Sequence, residues 1–241
     1  MTDGSSMVAA ATLIGDHARA KMLTALMGGR ALTATELAGA AGITKQTGST
    51  HLRKLLDARF VTMEAHGRHR YFRIADEDVA QLLEELMSFS IRASSRACTT
   101  GPKDPALRKA RVCYDHLAGE LGVLLYASLM QRQAFDFNGA AVTLSAQGER
   151  LVADLGVDAR SVRNQKRAAC RVCMDWSERR HHLAGAVGAA LLARIIELGW
   201  AVRDRSSRVI HFRPHGERAF RDYFQLTGGG LRSANCPFQY G

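Results

Sequence analysis

Two short helical patterns separated by only three residues are the feature that most constrains the fold of this chain. Residues 33–36 have the S/T-x-x-E form of a capping box, which predicts that a helix begins at Ala34. Gly42 is a typical residue just past a helix end, and Thr44 is a typical N-cap for a second helix running to about Ala58. This spacing is that of a helix-turn-helix, whose second helix enters the major groove of DNA.

The segments on either side complete a small domain. Apolar residues four apart predict one helix over Val8–Met27. After the helix pair, strands over Phe60–Glu64 and Arg68–Ile74, joined at His66–Gly67, predict a β-hairpin. Asp76 is expected to cap one further helix that ends in residues 88–95. The sequence therefore predicts a winged helix-turn-helix.

The second helix of the pair has an apolar side for the core and a polar side suited to DNA. Leu52 and Leu55 face inward, while Gly48 would allow a close approach either to DNA or to the preceding helix. Gln, Lys and Arg side chains read base edges, whereas Ser and Thr contact phosphates or bases. Residues 44–73 also carry seven basic against two acidic side chains, a patch suited to a polyanion. The candidate DNA-binding residues are Lys45, Gln46, Thr47, Ser49, Thr50, His51, Arg53, Arg68 and Arg70. Of these, Lys45, Gln46 and Thr50 are the predicted base readers. The residues predicted to position the protein on the DNA backbone are Ser49, His51, Arg53, Arg68 and Arg70.

Three motifs resemble those of the ArsR-type winged helix-turn-helix repressors. They are Glu36-Leu-Ala-x-x-Ala-Gly-Ile43, Ser49-Thr-His-Leu-Arg-Lys-Leu55 and Gly67-Arg68-x-Arg70-Tyr71. The resemblance covers about residues 10–90. It implies a homodimer in which the first and last helices of this domain pair, a double-stranded DNA operator with two-fold symmetry, and release by an inducing signal.

Departures from that family are equally informative. Many metal-sensing members carry a Cys pair on the first helix of the motif, but Thr35–Ala41 has no such ligand. Others use Asp and His on the last helix, and Asp76–Ser88 has no His. Neither familiar metal site is therefore carried over. The second half resembles the C-terminal region of an extended ArsR-like subgroup in Ala110–Gly119 and Cys173–Arg180.

The whole chain is expected to be mainly α with small β-hairpin wings. The predicted domains are a DNA-binding and dimerisation domain at 10–95 and a helix-rich effector or sensor domain at 106–226, followed by a flexible tail at 227–241. Gly101 and two prolines mark a linker near 96–105. Val142–Leu155 and Ile210–Tyr223 repeat a strand, a turn and a helix, so the C-terminal domain is a candidate duplication.

The inducing signal is the least determined part of the prediction. Cys170-x-x-Cys173 is expected on a helix, which Arg160, Arg163, Arg167 and Arg171 would also line as a basic stripe. The candidate effector residues are Cys113, Tyr114, Cys170, Cys173 and Trp176. Three alternatives stay open. The first is an organic ligand in a pocket of Tyr114 and Trp176 with Asp115 and His116. The others are oxidation of the thiols, or binding of a metal or metalloid, which His181 and His182 after Cys170-x-x-Cys173 also suggest.

Composition and missing motifs narrow the class of protein. The net charge is +10, and the five cysteines form an odd set with no secretion signal before them, which indicates a reducing cytoplasm. No apolar stretch is long enough to span a membrane, and no phosphate loop or nucleophile elbow indicates an enzyme. The sequence thus favours a dimeric DNA-binding repressor with a small effector. The alternative is a cytoplasmic thiol-redox or metal-handling protein that uses Cys170 and Cys173.

Overall fold

The computed structural model describes residues 4–93, 102, 104–139, 141–204 and 207–226. The chain forms two compact units, Met1–Leu83 and Glu84–Gly241. Most of the predicted linker at 96–105 and all of the tail at 227–241 lie outside the described residues. The domain limits 10–95 and 106–226 therefore stay a prediction.

The first unit is built from four helices and a three-stranded antiparallel sheet, and a fifth helix begins near its end. The elements are α1 (Gly4–Ile14), α2 (His17–Leu26), β1 (Leu32–Thr33), α3 (Ala34–Ala41), α4 (Lys45–Asp57), β2 (Val61–His66), β3 (His69–Ile74) and α5 (Glu77–Ala93). The strand order is β1-β3-β2, so the β2–β3 hairpin forms the predicted wing.

The predicted single helix over Val8–Met27 is wrong, because the chain breaks between α1 and α2. The Asp16 carboxylate accepts a hydrogen bond from the Arg19 amide at 2.9 Å and caps α2. An N-cap residue has an extended backbone, which interrupts the preceding helix.

The helix pair is defined by local capping, as predicted. The Thr33 hydroxyl accepts from the Glu36 amide, and the Glu36 carboxylate accepts in return from the Thr33 amide at 2.7 Å. Gly42 ends α3 with a left-handed backbone at φ 72°, and Thr44 caps α4 by accepting from the Thr47 amide. The helix-turn-helix prediction is confirmed to the residue at these ends.

The second unit alternates short helices with two-stranded hairpins. After the last part of α5 it contains α6 (Pro105–Lys109), β4 (Arg111–Cys113), β5 (His116–Ala118), α7 (Glu120–Gln131), β6 (Phe135–Asn138), β7 (Ala141–Leu144), α8 (Ala146–Asp154), α9 (Ala159–Arg163), β8 (Arg171–Asp175), β9 (Arg180–Ala184), α10 (Gly185–Glu197), β10 (Ala201–Arg203), β11 (Ile210–Phe212) and α11 (Pro214–Tyr223). The hairpins are β4–β5, β6–β7, β8–β9 and β10–β11.

This order is one motif used twice: helix, hairpin, helix, hairpin, helix. We call α6–α8 the first repeat and α9–α11 the second repeat. The strand–turn–helix echo predicted for 142–155 and 210–223 corresponds to β7–α8 and β11–α11. Reciprocal backbone bridges join the repeats, Arg111 to Val209 and Cys170 to Val142.

Equivalent glycines show that the two repeats share backbone packing as well as order. A side chain at Gly122, at the start of α7, would place its Cβ 2.4 Å from the Leu117 oxygen. A side chain at Gly188, at the start of α10, would place its Cβ 2.5 Å from the Leu183 oxygen. In each repeat the helix is thus close to the strand before it, where only glycine fits.

The predicted helix around Cys170 and Cys173 is wrong. Arg171–Asp175 is strand β8, paired with β9, and helix α9 ends at Arg163. The predicted stripe of four arginines is consequently not on one helix. Regular spacing of charges fits an exposed helix, but here pairing with β9 determines the backbone, as tertiary context often does.

The core of the second unit is shared between the repeats. Leu121 on α7, Ile195 on α10 and Phe220 on α11 are fully buried in one apolar cluster. The mainly α fold with small hairpins is confirmed. Among the described residues, no helix is both long enough and apolar enough to cross a bilayer.

Candidate DNA interface and thiol–imidazole cluster

Helix α4 presents a polar face anchored by a buried apolar one. Leu52 and Leu55 are buried, whereas the residues of the opposite face are exposed: Lys45, Gln46, Thr47, Ser49, Thr50 and Arg53. The Ser49 and Thr50 hydroxyls donate to main-chain oxygens one turn earlier, so they are held close to the helix. The longer Lys, Gln and Arg side chains extend furthest from its surface.

Gly48 is the point at which α4 crosses α3. A Cβ at this position would lie 3.0 Å from the Ala38 Cβ. The close approach that the sequence left open is therefore made to the preceding helix. It sets the separation of the two helices and hence the projection of the polar face.

His51 occupies a different place from the other candidates on α4. Its Nδ1 lies 3.2 Å from an Arg19 guanidinium nitrogen and 3.8 Å from an Asp16 carboxylate oxygen. The side chain is only 14% exposed. His51 thus packs α4 against α2, a role that the motif by itself does not reveal.

The wing extends a second positive surface. Arg68 and Arg70 are exposed at the tip of the β2–β3 hairpin, whose turn contains Gly67. Arg73 lies further along β3, where it pairs with Glu64 at 3.1 Å. The positive charge of the tip residues is thus left for solvent or a polyanion, while that of Arg73 is balanced locally.

In the second unit, two thiols and two imidazoles converge. The sulfur atoms of Cys113 and Cys173 and one nitrogen each of His116 and His182 all lie within 4.8 Å of one another. We call these four residues the thiol–imidazole cluster. Cys113 is the direct partner of His116 across the β4–β5 hairpin, and Cys173 is the direct partner of His182 across β8–β9. Each repeat therefore contributes one thiol and one imidazole from equivalent positions.

A carboxylate stands behind each imidazole. Asp115 lies 3.2 Å from Nδ1 of His116, and Asp175 lies 3.8 Å from Nδ1 of His182. The two Nε2 atoms face each other at 3.1 Å, with the rings stacked. Both Asp residues stand two positions after the Cys of their own repeat.

Asp175 also forms a buried ion pair between the repeats. Its carboxylate accepts from the Arg111 guanidinium at 2.7 Å and from the Gly119 amide at 2.7 Å. Burial alone would raise the pKa of Asp175, but Arg111 and these hydrogen bonds hold that pKa well below its usual range. Arg111 also lies over the Trp176 ring, 4.9 Å from the ring centroid. Trp176 thus packs on this ion pair. The other residue predicted for the pocket, Tyr114, lies in the β4–β5 turn with a backbone φ of 57°.

The three described cysteines have different environments. The hydrogen bond from Cys113, together with the charge of His182, lowers the pKa of Cys173, although burial opposes this. The same hydrogen bond and burial raise the pKa of Cys113. Cys170 lies outside the cluster, and burial raises its pKa to about 12. Burial lowers the pKa of His116, but hydrogen bonds with Asp115 and Cys173 outweigh this and raise it to about 9.

Two residues around this cluster were not predicted from the sequence, Arg111 and Asp175. His116 was predicted only for the pocket of Tyr114 and Trp176, and His182 only as a possible metal ligand beside Cys170 and Cys173. A signal for them exists in the printed sequence. Arg-Val-Cys occurs at 111–113 and 171–173, and His-Leu-Ala-Gly at 116–119 and 182–185. Aligning these short repeated motifs pairs Cys113 with Cys173 and His116 with His182.

The helix pair, the wing and the exposed polar face of α4 together define a winged helix-turn-helix DNA-binding protein. A family model described as "Helix-turn-helix domain" matches residues 14–64. An uncharacterised HTH-type transcriptional regulator, YdfF of Bacillus subtilis (strain 168), is 40% identical over 215 residues, which cover 89% of this chain and 95% of the relative. The chain belongs to this family of HTH-type transcriptional regulators.

Solved structures similar to this chain match about two fifths of it. The homodimeric winged helix-turn-helix domain of a possible ArsR-family regulator from Mycobacterium bovis is 20% identical, covering 41% of this chain and 94% of that one, with a TM-score of 0.36. The antimony-specific repressor AntR is 28% identical, covering 39% and 83%, with a TM-score of 0.34. The cadmium sensor CMTR of Mycobacterium tuberculosis is 23% identical, covering 41% and 94%, with a TM-score of 0.30.

Proposed function

We propose that this transcriptional regulator is a cytoplasmic, homodimeric repressor that binds a two-fold symmetric operator and is released by a signal sensed through its second unit. The observation that carries the proposal is the polar face of α4, exposed opposite buried Leu52 and Leu55. Because its apolar side is buried in the domain, α4 can present its polar side to the major groove while the domain stays folded.

Within this proposal the candidate residues have three roles: contact with base edges, contact with phosphates, and support of α4. Lys45, Gln46 and Thr50 lie on the first half of α4 and contact base edges. A further set fixes the register through phosphates: Thr47, Ser49, Arg53, Arg68 and Arg70. His51 supports α4 from within the domain, through Arg19.

An apolar stripe on α5 supports the homodimer. Leu82 and Leu86 are each 40% exposed and lie four residues apart, on one side of the helix. Met7 and Val8 on α1 are also exposed apolar residues. These are the first and last helices of the winged helix-turn-helix domain, which the ArsR-type resemblance pairs across a dimer.

The second unit is the proposed sensor. A pocket of Tyr114 and Trp176 for an organic ligand remains one hypothesis, and chemistry at the thiols remains the other. Of the three candidate thiols, Cys113 and Cys173 belong to the thiol–imidazole cluster and Cys170 does not, so the thiol hypothesis is proposed for Cys113 and Cys173. Use of Cys170 and Cys173 as a redox or metal-handling pair has correspondingly less support.

A binding assay with the full chain tests the DNA-binding part. Duplexes from the DNA upstream of the protein's own gene are compared with shuffled duplexes of equal length and composition. We expect the native duplex to compete far better than the shuffled one, with an affinity that falls steeply with salt as counterions are released. Equal competition by both duplexes across the salt range contradicts the proposal.

A further inference from the structure

The thiol–imidazole cluster has the composition of a tetrahedral metal centre. Two Cys and two His side chains are an established ligand set for Zn²⁺, with Zn–S about 2.3 Å and Zn–N about 2.0–2.1 Å. These bond lengths put two nitrogen ligands about 3.3 Å apart and two sulfur ligands about 3.8 Å apart. The facing Nε2 atoms of His116 and His182 are 3.1 Å apart, and all four donor atoms fit within 4.8 Å.

The surroundings of the two imidazoles also point to a cation. A carboxylate lies on the Nδ1 side of each ring, at 3.2 Å for His116 and 3.8 Å for His182. In the tautomer with a proton on Nδ1, each imidazole has its lone pair on Nε2, which is the atom that a metal ion would bind. One cation between the two Nε2 atoms, 3.1 Å apart, could therefore be bound by both imidazoles. Carboxylates behind metal-binding His residues are a regular feature of such sites, because they fix the tautomer and orient the ring.

The origin of the ligands adds a third, independent observation. Each repeat supplies a Cys and a His that are direct cross-strand partners, and each places an Asp two residues after the Cys. A buried core cysteine needs no such arrangement, as Cys170 shows by lying buried outside the cluster. Each repeat thus supplies the same three groups, a thiol, an imidazole and a carboxylate, and the two sets lie next to each other at the cluster.

We propose that Cys113, His116, Cys173 and His182 bind one divalent, thiophilic metal ion of the Zn²⁺ type, which links the β4–β5 and β8–β9 hairpins. Two thiolates neutralise the charge of the ion, so the centre can lie in a buried place. Asp115 and Asp175 act as positioning residues for the two imidazoles. The proposal goes beyond DNA binding and does not depend on it.

Cobalt titration of the full chain tests the site. After treatment with a chelator and a thiol reductant, Co²⁺ is added and the visible and near-ultraviolet spectra are recorded. We expect one equivalent of Co²⁺ to give the intense ligand-field bands of tetrahedral coordination and a thiolate charge-transfer band, and one equivalent of Zn²⁺ to abolish both. A spectrum of six-coordinate Co²⁺, or no saturation at one equivalent, overturns the proposal.

Matched variants identify the ligands. Cys173→Ser and His182→Gln are expected to lose the tetrahedral spectrum, whereas Cys170→Ser and His181→Gln are expected to keep it. Cys170 is three residues from a ligand, and His181 precedes one on β9. Loss of the spectrum in the Cys170 variant, or its retention in the Cys173 variant, contradicts the assignment. A Cys98→Ser/Cys236→Ser double variant, expected to keep the spectrum, tests the two cysteines outside the described residues.

A milder variant keeps the test valid even if a ligand variant does not fold. Asp115→Asn leaves all four donors in place and removes only the carboxylate behind His116. We expect the one-to-one spectrum to persist while Zn²⁺ affinity falls about 10–100-fold, the usual effect of removing such a partner. Unchanged affinity contradicts the positioning role. Operator binding by the same samples is measured separately, so failure of the metal site and failure of the DNA-binding proposal are told apart.

Discussion

At the scale of single residues, α4 and the wing are expected to contribute differently to DNA binding. Gln46→Ala removes a proposed base contact, so we expect it to cost about 1–3 kcal/mol on the best operator and to relax specificity at one base pair. Arg68→Ala removes a proposed phosphate contact, so we expect it to weaken binding to all sequences alike and to reduce the salt slope by about one. Competition assays with single-base operator variants measure both effects. Altered base preference in the Arg68 variant alone would show that the wing reads sequence.

The buried ion pair of Arg111 and Asp175 gives a second prediction at this scale. Asp175→Asn leaves the Arg111 charge buried without its counter-charge, and we expect it to cost about 3–5 kcal/mol of unfolding free energy. The control is Glu197→Gln, which breaks an exposed pair with Arg194 on α10 and should cost less than about 1 kcal/mol. Urea unfolding followed by tryptophan fluorescence reports on this unit, because Trp176 and Trp200 both lie in it. A chelator is present throughout, so that bound metal does not affect the unfolding midpoints. Equal midpoints for the two variants would contradict the predicted difference in stability.

At the scale of elements, two glycines test the contact between α3 and α4. Gly48→Ala adds a Cβ 3.0 Å from that of Ala38, so α3 and α4 must give by a few tenths of an ångström. We expect this overpacking, which costs about 1–3 kcal/mol, to outweigh the gain of up to about 1 kcal/mol in helix propensity. Gly39→Ala, on α3, meets nothing within 4 Å and should stabilise its helix by up to about 1 kcal/mol. Hydrogen exchange of the amides in α3 and α4 should therefore become faster in the first variant and slower in the second. Slower exchange in both variants would mean that α3 and α4 accommodate the added Cβ with no loss of stability, which contradicts the prediction.

Local signals explain which elements the sequence predicts correctly. Both ends of α3 and the start of α4 follow from Thr33, Glu36, Gly42 and Thr44, each of which acts within four residues of the chain. Strand β8 is different, because its backbone depends on pairing with β9 and on the bridge from the preceding Cys170 to Val142 of the other repeat. The charges of this segment suggested a helix, and no short-range signal contradicted it.

The thiol–imidazole cluster escaped prediction for a related reason. Cys113 and His116 are three residues apart, but their equivalents Cys173 and His182 are nine apart, because the second hairpin has a longer turn. The ligand spacings of the two halves therefore differ, and no single motif describes both. Only the pairing of repeats brings residues 66 positions apart, His116 and His182, into contact.

At the scale of the whole molecule, the exposed stripe on α5 predicts the oligomeric state. Leu82→Glu and Leu86→Glu each place a charge in the proposed dimer interface, and we expect the double variant to be a monomer with weakened operator binding. The control is Met63→Glu, which changes a residue of β2 that is equally exposed, at 41%, but lies on the wing. Sedimentation velocity measures the mass of each. A dimeric double variant would exclude α5 as the interface.

The joining of both repeats in one chain has a consequence for how the cluster behaves on dilution. A symmetric site assembled from two separate copies of a motif dissociates when its components become scarce. Covalent connection instead gives each half an effective concentration of the other in about the millimolar range, whatever the abundance of the protein. The four donor atoms can therefore assemble in a cell that holds only a few copies of this regulator.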